Sequence, residues 1–188
     1  MLKAWENVKH LAVEATRFAI CGGSAGAALA IAVVYRLIAT GQGDRVAGLI
    51  SLQGLFADPD KLPEIYRKLH TSYEDNSGPL PIVSGEDMKM ALEHVAGENA
   101  LVDVSQFPLH GAPDSLKGFP RTYIINTDRE ALRDDGTVLE AVLKDVGVPV
   151  KMDVMKGLPH YFWTFPVEKA GQRFRDLFVE GVRWVLTP

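Results

Sequence analysis

Apolar residues recur along this chain in two alternating rhythms. Short runs such as Val46-Ala-Gly-Leu-Ile-Ser-Leu52 are apolar almost throughout, as a strand covered on both faces must be. Between such runs lie longer stretches with apolar positions three and four apart, the spacing of a helix with one buried face. Residues 2–15 repeat in this way through Leu2, Trp5, Val8, Leu11 and Ala12 and predict a helix. Residues 17–21 predict a short strand, 25–40 a helix ended near Gly41 and Gly43, and 46–52 a strand. Further on, 121–126 predict a strand and 134–146 a helix with Val138, Leu139, Val142, Leu143 and Val146 on one side. Residues 148–155 predict a strand, and 166–186 a closing amphipathic helix that buries Phe174, Leu177, Phe178, Val182, Trp184 and Val185.

Strands alternating with helices predict the α/β class, with a parallel sheet of about four strands and flanking helices. Residues 55–117 break the rhythm. They are rich in proline and glycine and hold two modest helical patterns, at 60–72 and 86–96. That is the character of an excursion or lid rather than of sheet core. The chain therefore reads as a single domain over residues 1–188, with 55–117 as a lid-like excursion.

Composition narrows the partners. A chain of 188 residues with 47% hydrophobic and 23% charged residues has room for one sizeable core. A net charge of −4 gives no electrostatic reason to bind nucleic acid or an anionic membrane. The lone cysteine, Cys21, has no internal disulfide partner and is expected to be a small core residue of its strand. No apolar run approaches the ~18 residues of a membrane span, and the amphipathic first residues do not resemble a secretory signal. A reducing, cytoplasmic location follows as the expectation.

Candidate chemistry gathers after the strands, because loops at the carboxyl ends of parallel strands converge on one rim. Ser24 sits in Gly22-Gly-Ser-Ala-Gly26, a G-x-S-x-G pattern between the first strand and the first long helix. On such a strand–turn–helix junction the serine is held in a tight, strained conformation with its hydroxyl exposed. Asp128 and Glu130 follow the third strand, and His160 follows the fourth. The order is serine, acid, histidine. A serine hydroxyl is a weak nucleophile until a neutral imidazole takes its proton. A carboxylate behind the imidazole fixes its tautomer and stabilises the imidazolium. The helix after Ser24 offers free backbone N–H groups, with that of Ala25 aimed at a developing oxyanion.

Each of these residues also has a blander explanation. A phosphate-cradling turn is disfavoured for Ser24, since neither a Gly-Lys-Ser/Thr ending nor G-x-G-x-x-G occurs. A histidine after a strand is usually structural, but the register of His160 with the serine turn and the acid loop reverses that weighting. His10, His70, His94 and His110 read as surface or packing residues. No His/Cys/Asp spacing predicts a metal site, and no cofactor is expected.

Four blocks in order give the chain a resemblance to the α/β-hydrolase fold, and within it to the hormone-sensitive-lipase-like esterases. Ile20-Cys-Gly-Gly-Ser-Ala-Gly-Ala-Ala-Leu-Ala30 resembles that family's nucleophile elbow. Ser115-Leu-Lys-Gly-Phe-Pro-Arg-Thr-Tyr-Ile124 is similar to the segment entering a later strand. Glu130-Ala-Leu-Arg-Asp-Asp-Gly136 resembles the family's Asp-Pro-Leu-Arg-Asp-Glu-Gly block, and Gly157-Leu-Pro-His-Tyr-Phe162 its Gly-x-Pro-His-Gly-Phe block. The resemblance implies Ser24 as nucleophile, His160 as base and Glu130 as acid, with Asp128 as a rival acid two residues upstream. It departs from the family in Tyr161 where Gly is usual, and in Gly23 where Asp is frequent.

No His-Gly-Gly, the family's other source of oxyanion donors, occurs in the chain. It resembles the C-terminal half or more of such a domain, apparently truncated at its N-terminus. The expected function is a carboxylesterase- or lactonase-like serine hydrolase of small apolar esters, slow when Ala25 alone supplies the oxyanion donor. The alternatives are a cyclase, lyase or epoxide-opening enzyme of secondary metabolism on the same scaffold, or a catalytically weak remnant. Without its neighbours the first strand becomes a sheet edge, so a homodimer covering that edge is expected beside the small-molecule substrate.

Overall fold

The computed structural model describes residues 18–96 and 107–187. The helix expected over 2–15 lies outside them.

Four strands form one sheet in sequence order: β1 (Phe18–Gly23), β2 (Val46–Leu52), β3 (Thr122–Arg129) and β4 (Val150–Pro159). All three pairings are parallel, with Gly23 opposite Leu52, Leu52 opposite Ile125 and Ile125 opposite Asp153. Their carboxyl ends therefore finish side by side on one rim.

Helix α1 (Ala25–Ala39) returns the chain from β1 to β2. Between β2 and β3 come α2 (Glu64–Arg67), α3 (Ser72–Asp75) and α4 (Gly85–Ala96). Helix α5 (Arg133–Asp145) joins β3 to β4, and α6 (Glu168–Leu186) closes the described chain. The helix expected over 60–72 is instead two short ones: Pro63 starts α2, and Thr71 precedes α3.

The sheet buries both faces through the two-residue period of its strands. Ile20, Leu49 and Ile124 point to one side, where they meet Ile31 and Val34 of α1 and Val138, Leu139 and Val142 of α5. Ile50, Tyr123 and Ile125 point to the other, under Leu177 and Val185 of α6. Each such aliphatic side chain, fully withdrawn from water, stabilises the fold by roughly 1.5–3 kcal/mol before entropic costs. The excursion shares in this core, because Phe56, Ala57, Leu62, Tyr66, Leu109 and Leu116 pack in the first cluster.

Two differences from expectation have physical causes. Strand β3 continues to Arg129, past the expected end at 126, and its polar Asn126 and Thr127 are fully buried. Their side chains find partners at the strand ends, so the strand continues without apolar residues. Cys21 is exposed rather than buried. It lies on β1, the strand at the end of the sheet, while α6 covers chiefly β2 and β3. Among the described residues, no helix is long and apolar enough to cross a membrane.

Candidate active site

Each of the four strands delivers one polar residue to the rim: Ser24 after β1, Gln53 after β2, Glu130 after β3 and His160 after β4. Ser24 is the residue between β1 and α1. Its φ of 54° and ψ of −128° lie outside the regions where a non-glycine residue is comfortable. Three backbone bonds hold it there. Its N–H donates to the Leu52 carbonyl (2.9 Å), and its own carbonyl accepts from Ala27 (2.9 Å) and Leu55 (3.3 Å). Gly22 is what allows the turn to be this tight: a Cβ there would lie 2.1 Å from the Gly26 carbonyl oxygen. Gly26 itself has nothing within 4 Å of such a Cβ among the described residues, so the close approach is made on one side only. Ala25 opens α1 and is exposed, and first-turn N–H groups have no acceptor within their own helix.

His160 is delivered by an irregularity in β4. Thr127 pairs with Met155, and Arg129 next pairs with Pro159, so β4 spends extra residues over the same length of β3. Gly157 takes a left-handed φ of 74° within that bulge, and its N–H donates to Asp128 Oδ1 at 2.6 Å. The other Asp128 oxygen faces Lys156 at 3.8 Å. Asp128 thus fastens the β3–β4 corner, and its hydrogen bond and ion pair go to Gly157 and Lys156 rather than to the imidazole.

Glu130 makes that contact. One of its oxygens, Oε2, accepts from His160 Nδ1. The other accepts from the Thr127 hydroxyl (2.6 Å) and the Thr127 N–H (3.4 Å). On the far side of the ring, His160 Nε2 lies 3.1 Å from Ser24 Oγ. Glu130 is fully buried and His160 is 2% exposed, so solvent does not compete for the bond between them. Serine, imidazole and carboxylate stand in one hydrogen-bonded line, and Ala25 heads the helix beside them.

Sequence reasoning missed Gln53. It is fully buried, with a left-handed φ of 48°. Its Nε2 donates to the Thr127 hydroxyl (2.6 Å), and its Oε1 accepts from the Tyr161 N–H (2.8 Å). It therefore ties together the residue that holds Glu130 and the residue that follows His160. The available signal was position: a polar side chain directly after a strand that is apolar but for Ser51.

Comparison with known proteins agrees with this architecture. A model of the α/β-hydrolase fold family matches residues 1–164. A versiconal hemiacetal acetate esterase of Dothistroma septosporum is 33% identical over 182 residues, covering 96% of this chain and 55% of that protein. Human hormone-sensitive lipase is 37% identical over 79 residues, which is 41% of this chain and 7% of the lipase. Among solved structures, a fungal esterase of Rhizomucor miehei superposes with a TM-score of 0.75 at 25% identity, covering 98% of this chain and 57% of that one. The chain thus spans about half the length of full-length relatives such as the Dothistroma esterase. Strand order, serine turn and these likenesses agree that the chain belongs to the α/β-hydrolase fold family.

Proposed function

We propose that this protein is a serine hydrolase of small apolar esters, working through Ser24, His160 and Glu130. The observation that carries this reading is the line Glu130–His160–Ser24, with Nε2 at 3.1 Å from a serine oxygen in a strained turn. Ser24 Oγ attacks the ester carbonyl as His160 Nε2 takes its proton. Glu130 keeps Nδ1 protonated, so Nε2 is the basic nitrogen, and it stabilises the imidazolium that forms. The Ala25 N–H stabilises the oxyanion. His160 then returns the proton to the departing alcohol. A water, deprotonated in turn by His160, releases the acid from the acyl-enzyme.

The name of the Dothistroma relative points to acetate esters of secondary metabolites as the substrates to try first. Ala25 is the oxyanion donor assigned, and such a donor is worth about 10²–10³ in rate. A second copy of the chain is the partner in this reading, set against β1, which stands at the end of the strand order among the described residues. Sedimentation at micromolar concentration then gives a dimer, and a monomer removes that element. A cytoplasmic location belongs to the same reading, since an exposed free thiol such as Cys21 suits a reducing compartment. The experiment that tests the chemistry is Ser24→Ala assayed on p-nitrophenyl acetate. Loss of turnover by at least ~10³ is expected, and unchanged turnover overturns the assignment.

A further inference from the structure

The two positions that depart most from the family blocks, Gly23 and Tyr161, meet in space. A Cβ placed on Gly23 would lie 2.6 Å from the Tyr161 hydroxyl and 3.3 Å from the ring carbon that bears it. The phenol therefore fills the volume a side chain at position 23 would take, immediately before the nucleophile. At its other end the Tyr161 ring lies against His160, with centroids 4.8 Å apart. One aromatic ring thus spans the distance from the base to the residue preceding Ser24.

This placement is enforced. Tyr161 has a left-handed φ of 51°, which a bulky residue adopts only under constraint. The constraint is visible: its N–H donates to Gln53 Oε1 at 2.8 Å, and its carbonyl accepts from the Thr164 N–H (2.9 Å) and hydroxyl (2.8 Å). The ring continues into a larger aromatic surface. Trp163 lies 4.8 Å from it, and Trp163 stacks on Phe174 at 4.3 Å with planes 10° apart. Tyr161, Trp163 and Phe174 are each half-buried, so none of the three residues is closed off from solvent.

Resting on the hydrolase reading above, we propose that Tyr161 is a specificity-determining residue that selects esters of planar aromatic alcohols. The direction follows from the chemistry. His160 Nε2 returns its proton to the leaving oxygen, so the alcohol departs on the imidazole side of Ser24, where the Tyr161 ring stands. An aryl alcohol stacks on that ring, whereas a short alkyl alcohol has no flat face to offer.

The test compares 2-naphthyl acetate with ethyl acetate. Tyr161→Gly and Tyr161→Asn both tolerate the left-handed backbone, so the His160 loop keeps its conformation. Each is expected to lower the naphthyl-to-ethyl ratio of kcat/KM by about 3- to 10-fold relative to the unaltered protein. Tyr161→Phe, which keeps the ring, is expected to hold the ratio. Gly23→Ala is expected to lower naphthyl acetate turnover in the unaltered background and to be harmless beside Tyr161→Gly, because the steric conflict is then gone. If Ser24-dependent turnover persists with the same ratio in Tyr161→Gly and Tyr161→Asn, the Tyr161 proposal falls and the hydrolase reading stands. If Ser24→Ala leaves turnover intact, the hydrolase reading falls and takes this proposal with it.

Discussion

Two buried carboxylate–histidine pairs lie close together in this protein, Glu130 with His160 and Asp135 with His70. Both imidazoles and both carboxylates are withdrawn from solvent. Both acids come from one block, Glu130-Ala-Leu-Arg-Asp-Asp-Gly136. They differ in what lies beyond the acid. His160 presents its second nitrogen to Ser24 at 3.1 Å. His70 bonds Asp135 through Nε2, also at 3.1 Å, but its Nδ1 is buried without a hydrogen-bond partner, and its ring meets that of Tyr73 in a T-shaped contact. Asp135 spends its other oxygen on the backbone N–H groups of Phe56 (2.6 Å) and Ala57 (3.0 Å). One pair is aligned with a serine hydroxyl; the other fastens the start of the excursion to α5. An acid–imidazole pair becomes chemical only when a reactive group waits at its far nitrogen.

That contrast is broken most sharply by exchanging the histidines for alanine. His160→Ala is expected to cost about 10⁶ in kcat, with Glu130→Gln about 10⁴, because residues that act as one unit fail together. His70→Ala is expected to leave kcat per folded molecule within several-fold. If the two histidine variants lost turnover equally, measured on protein of matched folded fraction, the division of roles would be wrong.

The next effect is on stability. Asp135→Ala strands two backbone N–H groups and an imidazole in the interior, and is expected to cost about 3–5 kcal/mol in urea denaturation. A loss below about 1 kcal/mol would mean that the excursion is held elsewhere.

The smallest effect is the pH dependence of the His70 pair. Burial alone pushes the His70 imidazole down, but the hydrogen bond and charge of Asp135, with Asp134 and Glu74 behind it, outweigh that and hold its pKa above the ordinary value. Tyr73 faces the same ring and carries no charge at neutral pH. A raised folded-state pKa means that the charged form is stabilised by folding. Its contribution is therefore complete below the unfolded value of about 6.5 and fades as pH rises through the folded value. The stability difference between the protein and His70→Gln is expected to be larger at pH 6 than at pH 9. A difference that grows with pH would show that His70 is held neutral.

The same block shows how far the sequence could be read. Chain order offered Asp128 and Glu130 alike, and the resemblance of Glu130-Ala-Leu-Arg-Asp-Asp-Gly136 to a family block favoured Glu130, whereas periodic spacing alone located α1, α5 and α6. Asp134 and Asp135 were not legible. Their partners Thr71, Phe56, Ala57 and His70 belong to the excursion, whose irregular backbone has no period from which to place a side chain. The length of β3 was hidden for a different reason. Asn126 and Thr127 are polar yet buried, because each bonds a neighbour at the rim: Asn126 donates to the Arg133 carbonyl at 2.7 Å, and Thr127 to Glu130. Polar residues committed to a site look like a loop until the site is seen. Cys21 was misplaced because an apolar run does not show which face of an end strand its covering helix leaves open.

The central claim is that Ser24 is a nucleophile activated through His160. Treating the folded protein with a fluorophosphonate and mapping the adduct by peptide mass spectrometry tests it most directly. A covalent adduct on Ser24, absent from Ser24→Ala and strongly slowed in His160→Ala but not in His70→Ala, is the result predicted. A protein that turns over substrate while leaving Ser24 unlabelled would contradict it, and would point to proton-transfer chemistry by His160 and Glu130 without an acyl-enzyme.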